Sequence, residues 1–198
     1  MQMLTATLLI LAAAPVPLPV GEAKKEIYPL AMGNKWEYKM EVRGKVIEMA
    51  QEVTKVLEVK KGPPQITIST SGDNIVAAEV LSVDEKGVYR HSFNGIEIPK
   101  PYPMIKLPIK IGTKWKNEFT VAKIDVVANS EILEEETVKV EAGEFKAFPV
   151  RAVMEVMGQT MTFKTWYAVG VGVVKQEADA AGTEIKMELV KFTPAKSP

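Results

Sequence analysis

The chain reads as an all-β protein, a twisted and curved antiparallel sheet of half-barrel or sandwich-like form built from two related β-units. Three observations predict it. Residues 35–43 alternate, with Trp36, Tyr38, Met40 and Val42 on one side and Lys35, Glu37, Lys39, Glu41 and Arg43 on the other. That is the period of two of a strand with one buried and one wet face. Short segments bounded by turn residues fill the rest of the 198 residues, with no long helical pattern. Finally, PLAMGNKW (29–36) and PIKIGTKW (108–115) state one phrase twice, 79 positions apart.

The N-terminal run LTATLLILAAA (4–14), followed by APVPLPVGEA, has the form of a secretory signal peptide, placed here at residues 1–23. It is shorter than the roughly 20 apolar residues a membrane span needs, and Pro15, Pro17 and Pro19 would break a longer helix. Cleavage after Ala14 or after Ala23 satisfies the small-residue rule, and a proline just past Ala14 disfavours the first. With the leader removed, no transmembrane segment is expected. The chain has no cysteine, so disulfides, thiolate metal sites and a lipid-modified cysteine are excluded, and an exported protein of this kind must hold together by its core. Its 25 basic and 25 acidic residues cancel, so no overall field draws nucleic acid or anionic lipid.

In each copy of the repeated phrase the Gly ends a turn and the Trp is the first large inward residue of a strand. The next segment, VIEMAQEVTKVLEVKKG (46–62), has apolar positions that also fit a helix face; its Val and Thr content and flanking turn residues favour strand. QITIST (65–70), NIVAAEVLSV (74–83) and GVYRHSF (87–93) follow as strands. The stretch 98–108 contains Pro99, Pro101, Pro103 and Pro108, which cannot sit in a central strand, and is expected to be an extended crossover between units 28–98 and 108–193 of one domain, 24–198. Beyond it come TKWKNEFTV (113–121), ILEEETVKV (132–140), FKAFPVRAVMEV (145–156), QTMTFKTWYAV (159–169), GVVKQEA (172–178) and TEIKMELVKF (183–192). Turn signals at EAGE, MGQ, VGVG and DAAGT separate them. The Gly-Val strands at 87 and 172 extend the repeat, which predicts buried and equivalent positions for Trp36 and Trp115.

Catalytic groups are scarce. The single histidine, His91, has no second histidine to join in a metal site or dyad, and reads as an edge or solvent-facing residue. Glu131, Glu134, Glu135, Glu136, Glu141 and Glu144 lack the Asp/Asn/Gly spacing of a calcium loop and read as a solvated face. No serine lies in G-x-S-x-G, and no glycine run forms a phosphate cradle. The protein is therefore expected not to be an enzyme and to need no cofactor or metal. The aromatic and methionine set is the candidate site: Trp36, Tyr38, Met40, Trp115, Phe119, Phe163 and Trp166, with Met154, Met161 and Tyr167 beside them. These side chains either fill one core or leave part of a concave sheet face as an apolar pocket, in which flexible Met suits variable shapes.

The second half resembles a group of exported bacterial β-proteins of uncharacterised families. The residues that carry the likeness are Gly143, Phe145 and Ala147; Trp166, Tyr167, Ala168, Gly170, Val171, Gly172, Val174 and Lys175; and Leu189 with Phe192. YPLAMGNKWEY (28–38) is similar to the opening of the same group. The resemblance implies a periplasmic or extracellular location and, by analogy with envelope domains of the lipoprotein-carrier (LolA-like) kind, a curved sheet able to hold a lipid. Two functions follow as expectations. One is a non-catalytic envelope module that binds a lipid or other hydrophobic small molecule. The alternative is a structural or protein-interaction component of the envelope with a filled core.

Overall fold

The computed structural model describes residues 26–73, 75–121 and 124–196; the predicted leader lies outside the described residues. It is all-β, as expected. The strands are β1 (Lys35–Val42), β2 (Lys45–Leu57), β3 (Gln65–Gly72), β4 (Ile75–Asp84), β5 (Gly87–Phe93), β6 (Ile96–Lys106), β7 (Lys114–Val121), β8 (Ile124–Ile132), β9 (Glu136–Val140), β10 (Gly143–Val156), β11 (Gln159–Ala168), β12 (Gly172–Ala180) and β13 (Thr183–Thr193). They form one antiparallel sheet, nearly closed into a barrel, in the order β6-β5-β4-β3-β2-β1-β13-β12-β11-β10-β8-β7. Strand β9 lies off this path and pairs with the first half of β10. Two meanders, β1 to β6 and β7 to β13, thus meet where β1 pairs with β13.

The repeated phrase has a repeated geometry. Gly33 N–H donates to Val53 O at 2.9 Å, Val53 N–H to Asn34 O at 3.0 Å, and Asn34 N–H to Ala31 O at 3.0 Å. Each bond recurs 79 residues on: Gly112 to Ile132 O, Ile132 to Thr113 O, and Thr113 to Lys110 O. Both glycines have positive φ, 83° and 79°, which a side chain would strain. The turn therefore fixes where each strand starts and turns Trp36 and Trp115 inward; both indoles are buried.

The Pro-rich stretch departs from expectation. It is strand β6 at the sheet edge, paired with β5, and not a free crossover. Its prolines explain why the barrel stops short of closure. At every second position, 99, 101 and 103, an amide donor is missing from an extended strand. The Pro103 carbonyl points at β7, where it accepts from Trp115 Nε1 at 3.1 Å and Asn117 Nδ2 at 3.3 Å. Tyr102 stacks on Phe119, with ring centroids 4.4 Å apart. Side chains, not a ladder, close this seam, whereas the corresponding β1/β13 junction is fully paired. In hydrogen exchange, every second amide of β7 should therefore lose protection early while β1 stays protected. Equal protection of the two strands would mean that the seam is laddered in solution.

The two ends of the barrel differ. Where β1 begins, the segment 26–34 plugs the interior: Ile27, Tyr28 and Leu30 are buried, and Gly170 N–H donates to Glu26 O at 2.8 Å. Tyr28 lies edge-on to Trp36, which stacks on Phe192, both at 5.3 Å. Tyr38, Ile68, Leu81, Ile105, Ile132, Val174 and Leu189 complete a packed core at this level. At the other end the strands turn in two-residue hairpins, Arg43–Gly44, Asn94–Gly95, Met157–Gly158 and Ala181–Gly182, each with positive φ at both residues. This is the turn that matches strand twist.

Candidate functional site

Pairing across the strands assigns the faces, because directly opposed residues project to the same side. One inward row runs Trp115–Ser130–Ala152–Phe163–Ala178, and the next runs Asn117–Ala128–Met154–Met161–Ala180. Phe119 shares this face two residues beyond Asn117, and Tyr38 and Met40 continue it through Leu189 and Met187. Six of the seven candidate residues therefore share the inner face. Trp166 does not. It faces outward with Lys164 and Lys175, whose ammonium groups lie 4.5 and 4.8 Å from its ring, and its Nε1 donates to Glu136 Oε2 at 2.8 Å. Ordinary strand alternation puts its neighbour Tyr167 on the inner face, and both are buried, one on each side of the sheet.

The six inward residues are not equally placed. Trp36 and Tyr38 lie in the packed core, 0 % and 1 % exposed; Trp36 Nε1 donates to Val171 O at 2.6 Å and the Tyr38 hydroxyl to Val173 O at 2.9 Å. Trp115 closes the seam. Met40, Phe119 and Phe163, by contrast, are half-buried and sit toward the hairpin end, with Met154 and Met161 directly opposite one another. Alanines 128, 152, 178 and 180 occupy the positions between them, so large flexible side chains alternate with short ones across the strands. The result is a half-buried apolar band toward the hairpin end, above a packed aromatic floor.

A polar group that the sequence reading missed lies on the same face. Glu79 is buried, and Arg90 donates to its Oε2 from Nε at 2.9 Å and from Nη2 at 2.8 Å. Arg90 Nη1 donates to the Tyr102 hydroxyl at 3.1 Å, and the guanidinium lies 5.5 Å from the Phe93 ring centroid. Burial works against the Arg90 charge, but the adjoining Glu79 carboxylate outweighs it and holds the pKa above the ordinary arginine value. Burial likewise lifts the Tyr28, Tyr38 and Tyr167 phenols well above their usual range, so these hydroxyls stay protonated. Among the described residues every buried side-chain nitrogen and oxygen has a hydrogen-bond partner.

The other polar candidates have structural partners. His91 Nε2 lies 2.8 Å from Ser82 Oγ, and burial lowers its pKa, favouring the neutral ring. In the acidic run, Glu131 pairs with Arg151 and Lys114, Glu136 with Lys164, and Glu141 with Lys39. The hydrogen bond from Lys164 holds the Glu136 carboxyl below the ordinary carboxylate range. No group of three His, Asp or Glu side chains among the described residues is arranged to hold a metal ion. No helix among them is long and apolar enough to cross a membrane. On the outer face, a hollow of about 800 Å³ is lined by Glu41, Arg43, Lys164, Glu177, Asp179 and Lys186; its mixed charges distinguish it from the apolar band of the inner face.

A family model described as DUF3108-like matches residues 94–185, from the hairpin before β6 into β13. No curated protein matches the chain. Two solved structures are similar in fold. One is a candidate lipoprotein from Parabacteroides distasonis, 14 % identical, with a TM-score of 0.59, covering 85 % of this chain and 99 % of that one. The other is a candidate exported protein with a YmcC-like fold from Bacteroides fragilis, 12 % identical, with a TM-score of 0.59, covering 86 % of this chain and all of that one. At these identities the likeness is one of fold.

Proposed function

We propose that the chain is an exported, non-catalytic protein of the cell envelope that binds a lipid or other apolar small molecule in the mouth of its barrel. The observation that carries this reading is the gradient along the inner face. Large side chains are fully buried near the plug, while Met40, Phe119, Met154, Met161 and Phe163 are only half-buried toward the hairpin end. A band of that composition gains about 25 cal/mol for each Å² of apolar surface a ligand covers, and unbranched Met adapts to chains of differing shape. The leader pattern at residues 1–23, and the description of both structural neighbours as candidate lipoprotein or exported proteins, support the envelope location. The structural partners of His91 and of the acidic run support a role without catalysis.

Titration with an apolar fluorescent probe tests the proposal. The native protein should bind the probe, and Met154→Asp with Met161→Asp should weaken binding at least about tenfold, because charge at a half-buried apolar wall opposes its filling. Both side chains are half-buried near a hairpin tip, so the far-UV spectrum should be retained. Unchanged binding in the double variant, or no binding by the native protein, would refute the assignment.

A further inference from the structure

Within the proposed ligand-binding reading, on which this inference rests, the geometry points to Arg90 and Tyr102 as a head-group site that selects an amphiphile whose polar end carries hydrogen-bond acceptor oxygens. Three observations converge. Arg90 is on the inner face, paired with the buried Leu81 on one side and with Tyr102 on the other. Its side chain is 24 % exposed while that of Glu79 is 9 % exposed, so the cation is the more accessible member of the pair. Tyr102 joins the polar group to the apolar one: its hydroxyl accepts from Arg90 and its ring stacks on Phe119 of the mouth.

The donor inventory gives the site its sign. A guanidinium has five N–H groups and no acceptor. Nε and one N–H of Nη2 serve Glu79, and one N–H of Nη1 serves Tyr102. One N–H on each of Nη1 and Nη2 is left over, and the Tyr102 hydroxyl, an acceptor toward Arg90, keeps its own proton to donate. Glu79 fixes the guanidinium in place, so these donors do not need to be ordered when a ligand arrives. An acceptor-rich head group such as a carboxylate is matched by this set. A head group that only donates, such as an ammonium, is not.

The test compares dodecanoate with dodecylammonium, equal in chain length and opposite in hydrogen-bonding character, below their micelle concentrations. The native protein should bind dodecanoate about tenfold or more tightly, as expected for a hydrogen bond to a charged group in a partly dry site. The double variant Arg90→Met with Glu79→Leu should bind the two equally, with the dodecylammonium affinity little changed. Replacing both members of a buried pair with apolar residues is generally tolerated, whereas removing one strands the other; an unchanged melting temperature would confirm that the variant folds. Equal binding of the two amphiphiles by the native protein, or a preference that survives in the variant, would overturn the head-group site alone. Failure of the native protein to bind either would overturn the apolar mouth as well.

Discussion

Trp36→Ala should lower the free energy of unfolding by about 3–5 kcal/mol, the usual cost of truncating a buried tryptophan. The indole is fully buried, stacks on Phe192, meets Tyr28 edge-on and donates to the Val171 carbonyl. Its removal leaves a cavity where the plug meets β1 and β13, and it orphans a carbonyl that had a short hydrogen bond. Against a typical total stability of about 5–15 kcal/mol, that is a large fraction. Urea unfolding followed by the fluorescence of the remaining tryptophans would measure it. A loss below about 1 kcal/mol would show that the plug does not pack in solution as described. Because the fold itself is at stake, loss of ligand binding in this variant would say nothing about the site.

Gly172→Ala should be nearly as damaging, for two separable reasons. The residue has φ of 93°, where a side chain costs roughly 1–2 kcal/mol. A Cβ there would also lie 2.3 Å from Tyr28 Cδ2 and 2.5 Å from Cε2, well inside contact distance. The Tyr28 ring cannot retreat, since it is 2 % exposed and wedged against Trp36, and forcing a packed core apart adds about 1–3 kcal/mol. Gly170 supplies the control. Its φ is 83°, but a Cβ there meets nothing within 4 Å. Gly170→Ala should therefore cost the backbone term alone, and the difference between the two melting curves isolates the contact with Tyr28. Equal losses would place Tyr28 away from Gly172.

Much of this architecture was legible in the sequence, because it rests on local periodicity. The alternation from Trp36 to Val42, the glycine before each repeated Trp and the turn at VGVG are near-neighbour effects, and the structure places strands and turns there. What escaped was non-local or masked. Strand β8 was not anticipated ahead of Ile132, because Ser130 sits among its inward residues and Val127 points the other way. The segment read as ILEEETVKV is split at residues 133–135: β8 ends at Ile132 and β9 begins at Glu136. The hairpin turn at Arg43–Gly44 lacks the Asn or Asp that usually announces such a turn.

The site was legible in type and less so in position. Trp36, Tyr38, Met40, Trp115, Phe119 and Phe163 do share one face, as alternation within each strand allows. Trp166 lies on the other face by the plain alternation of β11, in which Phe163, Thr165 and Tyr167 are inward, so its aromatic character alone is no guide to its side, and the indole sits outward beneath two lysine stems. The Arg90–Glu79 pair has no counterpart in the sequence reading, since residues eleven positions apart on neighbouring strands carry no sequence signal that they meet. A register shift between Arg90 and Ser92 also interrupts the alternation that would have marked Arg90 as inward.

On the proposed function, the mouth of the barrel holds an apolar molecule. Native mass spectrometry of the protein isolated from its own envelope fraction, with identification of whatever is released on denaturation, tests it most directly. The account predicts a mass above that of the bare chain by one amphiphile with an acceptor head group, at close to one per chain. A bare mass, from a protein that also takes up no amphiphile when it is supplied, would contradict it.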